Sequence, residues 1–377
     1  MENKRYDAVI VGGGVIGCSI AFQLAKRGAS VIVLEKQEIA QGASRAAAGM
    51  LGAQSEFTTD SPLIPLALKS REMFPSIVEE LEELTGIDIG LVQRGLIKVA
   101  CSKEDGVALE QHYQFWKQQD PSVQWLSMKE LQEREPHVTE TLYGAMYLPG
   151  DGQVRAAELS IAFAKAASRF GAVIKEYTEV YSLLWERGQV KGVETAEGRI
   201  TSDNVILCAG AWSKQLLKPT GIDVPLFPVK GECLSVVTEI PFITSTIFAN
   251  NGCYIVPKKG NRLVIGATSQ EGTFHQKVSV KGVQSLLERA SAILPSIVEA
   301  HWENVWSGIR PQTSDGLPYL GEHPDIKGLF GAFGHYRNGI LLSPITGVIM
   351  ADLVEGKTYE SIDLSSFHLL RVVPTSM

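Results

Sequence analysis

The chain has 377 residues, 45% hydrophobic and 20% charged, a composition ordinary for a soluble enzyme with room for two domains. Its formal net charge is −7, and no long basic run occurs, which argues against a nucleic-acid partner, because phosphates need clustered Lys and Arg. Five scattered cysteines without a C-x-x-C, and histidines without ligand spacing, argue against a disulfide framework or a metal site and favour a reducing, cytoplasmic setting.

The apolar start does not read as a secretion signal, since Asp7 stands where a basic region belongs and glycines interrupt the run. No run approaches the ~18 to 20 apolar residues that span a bilayer, so no membrane association is expected. Ala8-Val9-Ile10-Val11, apolar and largely β-branched, predicts a buried parallel strand. After it come Gly12, Gly14 and Gly17, and then Ile16, Ile20 and Leu24 at four-residue spacing, one face of a helix that ends at Gly28. Val31-Ile32-Val33-Leu34 predicts a second strand, closing on Glu35 and Lys36.

Strand, glycine turn, helix and strand in this order form a dinucleotide-binding unit. Gly12 allows the tight turn, Gly14 lets backbone amides approach a pyrophosphate, and Gly17 lets helix and strand pack closely. The helix start offers unpaired donors and partial positive charge to phosphates. Glu35 suits ribose hydroxyls and would repel a 2′-phosphate, so FAD or NAD is favoured over NADP.

Beyond this unit the strand–helix alternation lapses. Gly42 to Met50 is a run of small residues able to lie against a cofactor. Residues 60–150 read mostly as helices with one strand-like piece at 95–100, and Pro149-Gly150-Asp151-Gly152 is a break. A helix is predicted over 156–170, then short strands with hairpin turns at Gly188 and Gly198. A β-rich block covers about 223–309. The carboxy-terminal part gives strand, glycine-rich turn and helix.

The segments "SRAAAGML", "VILCAGAWS", "PVKGECLSV", "CYIVPKKGNRLVIGAT", "GIRPQTSDGLPYLG" and "GHYRNGILLSP" follow the glycine motif in order. Together they resemble the D-amino-acid oxidase superfamily of flavoenzymes, most closely its glycine-oxidising, thiamine-pathway branch. The resemblance implies an α/β (α+β) fold. A discontinuous Rossmann-like FAD-binding domain (1–222 and 310–377) would carry a β-sheet-based substrate domain (223–309), with 91–149 as an excursion packing beside the latter. It also implies oxidative deamination of glycine and other small amines by hydride transfer to the flavin, with O2 as acceptor and H2O2 as product. A homotetramer is implied too.

Carried over by position, the resemblance implies cofactor contacts from Gly12, Gly14, Val15, Ile16 and Gly17 at the diphosphate, and from Glu35 and Lys36 at the ribose. It places Ala43, Ser44, Ala48, Gly49 and Met50 along the ribityl chain and flavin, and Val180 at the adenine end. His335, Tyr336, Arg337, Asn338, Gly339, Ile340 and Leu341 match the turn facing the flavin's pyrimidine edge. Arg310 and Tyr254 match the substrate-carboxylate pair, with Arg337 and Met50 nearby. An arginine fork can grip a carboxylate through two parallel bonds. Gly252 and Ser269 stand where the family has a histidine and a methionine, which widens the expected substrate range to sarcosine, N-ethylglycine and D-alanine. No cysteine follows Cys253, so FAD is expected to be non-covalent. A sarcosine- or D-amino-acid-preferring oxidase, a dehydrogenase passing electrons to a quinone, and a non-catalytic dinucleotide-binding module remain as alternatives.

Overall fold

The computed structural model describes residues 5–371, built on three sheets. The central six-stranded sheet runs in the order Tyr319–Glu322, Leu329–Phe333, Val205–Leu207, Ala8–Val11, Val31–Leu34, Val173–Lys175. Its pairings are parallel except at the Tyr319–Glu322 edge. Strand alternation divides its side chains between two cores. Ala8, Ile10, Val31, Val33 and Ile206 turn toward helices Val15–Lys26, Leu63–Thr85, Ala156–Arg169 and Gly339–Val354. Val9, Val11, Ile32, Leu34, Val205 and Leu207 turn toward a four-stranded sheet that supplies Leu183, Val190 and Val193.

The nine-stranded sheet is assembled from distant parts of the chain. Leu226–Val237 pairs antiparallel with both Arg262–Gly266 and His301–Thr313, and Tyr254–Lys258 continues the sheet to Thr246–Ala249. Thr246–Ala249 in turn lies parallel to Leu96–Ala100, beyond which come Gly144–Leu148 and Gln124–Leu126. Helix Val280–Ile293 covers one face through Leu286, Ala290 and Ile293. On the other face Leu109 and Trp116 of helix Lys103–Gln119 join Tyr254, Val256 and Val264.

Three expectations change. Residues 60–150 contain three strands rather than one, and all three belong to the large sheet. The β-rich block around 223–309 contains the fourteen-residue helix Val280–Ile293. One segment, Tyr336–Val354, does reach membrane-spanning length and apolarity, but 61% of it is buried inside the protein. It packs on Val15–Lys26 and Leu63–Thr85, and its apolarity reflects that enclosure.

Candidate active site

A groove of about 360 Å³ opens along the carboxyl ends of Ala8–Val11 and Val31–Leu34, where an open α/β sheet places its ligands. At one end stand Glu35, Lys36 and Val180; in the middle is the start of helix Val15–Lys26; at the far end are His335, Tyr336, Gly339 and Ile340. The three glycines of the motif have distinct surroundings. Gly12 sits at φ 110°, and a Cβ there would lie 2.5 Å from the Cys208 carbonyl oxygen. A Cβ on Gly17 would run into the Gly12 carbonyl oxygen. Gly14 borders the groove, and a Cβ there would meet only the Ser44 hydroxyl, at 3.3 Å.

Side chains hold the turn in place. The Gly13 amide donates to Glu35 Oε2 at 2.7 Å and the Gln37 amide to Oε1 at 2.9 Å, so one carboxylate ties the glycine turn to the end of the second strand. Ser44 Oγ accepts from the Val15 amide at 2.9 Å, capping the first helix from a separate segment. The Lys36 ammonium lies 3.7 Å from the centre of the Trp212 ring, at the groove wall.

A smaller cavity of about 90 Å³ adjoins the groove and shares Ala43, Ala47, Tyr336, Arg337 and Ile340 with it. Ala48, Gly49, Met50, Glu56, Tyr254 and Arg310 complete its wall. Gly49, at φ 83°, presses against the Val154 carbonyl, leaving no room for a side chain. Tyr254 is buried, its hydroxyl 3.3 Å from Cys233 Sγ, and burial pushes its pKa well above the ordinary value, so it stays a neutral donor. Arg310 donates to the Thr268 carbonyl at 3.3 Å and, among the described residues, has no carboxylate within 4.0 Å. Arg337 is different: it forms a 2.8 Å ion pair with Glu56 and lies 5.4 Å from the centre of the Phe248 ring.

Tyr336 borders the groove and both adjoining cavities with φ at 48°, a backbone region unusual for a non-glycine residue. Its neighbour His335 is buried, with Nε2 3.2 Å from Thr346 Oγ1, and burial lowers its pKa to about 3. It is therefore neutral at physiological pH and a weak base.

A family model described as "FAD dependent oxidoreductase" matches residues 7–353. The chain belongs to the FAD-dependent oxidoreductases. It is 54% identical over 370 residues to the glycine oxidase of Geobacillus kaustophilus (strain HTA426), covering 97% of each chain. It superposes on the crystal structure of the glycine oxidase from that organism with a TM-score of 0.96, covering 98% of this chain and 99% of the other. It is also 34% identical to the bifunctional protein ThiO/ThiG of Synechocystis sp., covering 92% of this chain and 51% of that protein.

The FAD family accounts for the groove. FAD fits the residues present: a carboxylate where a ribose would lie, a capped helix start for the diphosphate, and the small side chains of Ala43, Ala47, Ala48 and Gly49 as a flat wall for a ring. Of the residues singled out in the sequence, Gly12, Gly14, Val15, Ile16, Glu35, Lys36, Ala43, Ser44, Val180, His335, Tyr336, Arg337, Gly339 and Ile340 line the groove. Ala48, Gly49, Met50, Asn338, Tyr254 and Arg310 line the inner cavity. Gly17 and Leu341 are buried behind the groove and support it by packing.

Several residues around the site carry no sequence signal. Glu56 neutralises Arg337 from the irregular stretch that precedes helix Leu63–Thr85. Behind that segment, Lys98 Nζ donates to the Ser55 carbonyl at 2.8 Å and to His112 Nδ1 at 3.1 Å, while His112 Nε2 lies 2.9 Å from the Gln54 carbonyl. Burial lowers Lys98 to about 8 and His112 to about 4, so the ring is neutral with its proton on Nε2. Helix Lys103–Gln119 buries His112, but nothing in one dimension pairs it with Lys98.

Proposed function

We propose that the chain oxidises glycine and other small amino acids or N-alkylglycines, with non-covalent FAD and dioxygen, to an imine that hydrolyses to glyoxylate or another α-keto acid. Ammonia or an amine and hydrogen peroxide are the other products. The observation that carries the reading is Arg310: a guanidinium without a carboxylate partner among the described residues, beside the neutral Tyr254 hydroxyl, in a cavity continuous with the dinucleotide groove. Similarity to glycine oxidases over nearly the whole chain supports it, and similarity to the ThiO/ThiG protein supports a role in making the thiazole of thiamine.

FAD, when bound, supplies the two-electron acceptor. Arg310 and Tyr254 hold the substrate carboxylate by charge-assisted and neutral hydrogen bonds, fixing the α-carbon toward the inner cavity wall formed by Ala48, Gly49 and Met50. Glu56 keeps Arg337 compensated, so that Arg310 is the cation left to receive an anion. The substrate amine must arrive neutral, since burial makes His335, bonded to Thr346, too weak a base to take its proton. Catalysis is thereby positioning and electrostatics.

The test is steady-state peroxide release with glycine, sarcosine and D-alanine on wild type and Arg310→Met. Loss of the arginine–carboxylate pair should lower kcat/KM by ~2 to 5 kcal/mol equivalent. Turnover with a quinone or dye but without peroxide would replace the oxidase by a dehydrogenase, and an unchanged profile for Arg310→Met would remove the proposed binding mode.

A further inference from the structure

Three side chains from separate parts of the fold meet across the dinucleotide groove. Trp212 follows strand Val205–Leu207, and Lys36 follows strand Val31–Leu34. These strands flank Ala8–Val11 on either side, so the two residues stand on opposite banks of the glycine turn into which Ala8–Val11 runs. The banks touch: the Lys36 ammonium lies 3.7 Å from the centre of the Trp212 ring, and both residues line the groove. Phe274 rests on Trp212, with ring centres 5.1 Å apart and planes tilted by 40°. It belongs to residues 272–278, an irregular segment that leads from the nine-stranded sheet to helix Val280–Ile293.

That segment is tied down at both ends. Before it, Gln270–Glu271 pairs with Lys230 and Val229, and the Gly272 amide donates to the Pro228 carbonyl at 2.9 Å. After it, the Ser279 amide donates to Glu232 Oε1 at 2.8 Å, and Glu232 is held by Lys230 in a buried ion pair, also at 2.8 Å. Lys230 Nζ donates to the Lys277 carbonyl, and Ser307 Oγ to that of Gln276, a residue of the groove wall. A segment fixed at both ends gives up little freedom when its middle packs, so Phe274 holds against Trp212 while still 40% exposed.

We infer that Lys36, Trp212 and Phe274 form a clasp across the groove, one that has to open for FAD to enter or leave. This rests on the groove being the FAD site and needs nothing of the substrate. An ammonium over an indole and a pair of tilted rings are each worth only about two- to tenfold in an equilibrium, which suits a closure that must yield. The contacts are between the protein's own side chains, so the clasp slows entry and exit together, both passing through the open form. A residue that merely touches the cofactor slows exit alone. Phe274 separates the two cases, because it stands behind Trp212 rather than in the groove wall.

Flavin kinetics on the full-length protein test the clasp. Exchange of bound FAD in the holoenzyme against excess radiolabelled FAD gives the release rate. Quenching of flavin fluorescence, when FAD is added to protein stripped of it, gives the entry rate. Phe274→Ala should raise both rates about two- to tenfold and leave the dissociation constant within about threefold, with an unchanged thermal midpoint, while Phe274→Tyr behaves as wild type. Release and entry at the wild-type rates in Phe274→Ala overturn the clasp. Faster release with entry unchanged overturns it as well, and makes the ring a support for Trp212. A wild-type chain that takes up no FAD removes the groove as the FAD site, and the clasp with it.

Discussion

The guanidinium of Arg310 lies directly over the backbone of Gly231, filling the space where any other residue would carry its Cβ. The two belong to neighbouring strands, Leu226–Val237 and His301–Thr313, with Arg310 opposite Val229. Gly231 adopts ordinary strand geometry, so glycine is required there by the arginine rather than by the backbone. Gly231→Ala is therefore expected to leave stability within ~1 kcal/mol, since a flexible side chain can give way, while displacing the fork. A displacement of that kind costs about 10- to 100-fold in kcat/KM. Glycine kinetics and thermal unfolding on the same preparation check both halves.

Gly14 and Gly17 should respond differently to the same change. At Gly17 an added methyl meets the Gly12 carbonyl, a backbone atom that cannot move without opening the turn, so Gly17→Ala should lose both FAD and ~2 kcal/mol or more of stability. At Gly14 the methyl meets only the Ser44 hydroxyl and projects beside the groove. Gly14→Ala should fold normally and bind FAD weakly. Flavin absorbance after desalting, set beside thermal midpoints, separates the two.

His335 makes stability depend on pH in a defined window. Its folded pKa of about 3 lies below the ordinary 6.5, so between these values the unfolded chain holds a proton that the folded protein refuses. Stability from this group is complete above pH 6.5 and is lost as pH falls toward 3, by about 2 kcal/mol at pH 5. Replacing His335 by Gln removes that part of the acid slope. Denaturation midpoints of wild type and variant at pH 8 and pH 5 should converge at the lower pH.

Non-covalent FAD predicts that acid precipitation leaves the yellow colour in the supernatant. All five cysteines are free, the last is Cys253, and His335 is occupied by Thr346. Colour that stays with the pellet would require another attachment residue.

What the sequence makes legible is what repeats locally. The glycine motif announces itself because strand, turn and helix lie within thirty residues, and the hairpin turn at Gly188 because glycine accepts the positive φ, 72°, that it takes there. Gln124-Trp125-Leu126 is too short for alternation to show, and Gly144–Leu148 looks like a helix fragment until its partner strand is known. The substrate side depends on residues brought from afar: Glu56 to Arg337, Lys98 to His112 behind it, and Gly231 beneath Arg310. Each is an unremarkable letter whose meaning comes from burial and from a neighbour on another strand.

The parallel pairing of Leu96–Ala100 with Thr246–Ala249 joins stretches of chain about one hundred and fifty residues apart. A fragment cut at residues 223 and 309 would leave the Thr246–Ala249 edge bare, with its ladder of amides and carbonyls open to any passing strand, and would also lack Arg310. Nascent protein cannot finish this sheet until its own later portion emerges to meet an earlier one, so synthesis must proceed well past the midpoint before the cavity exists at all.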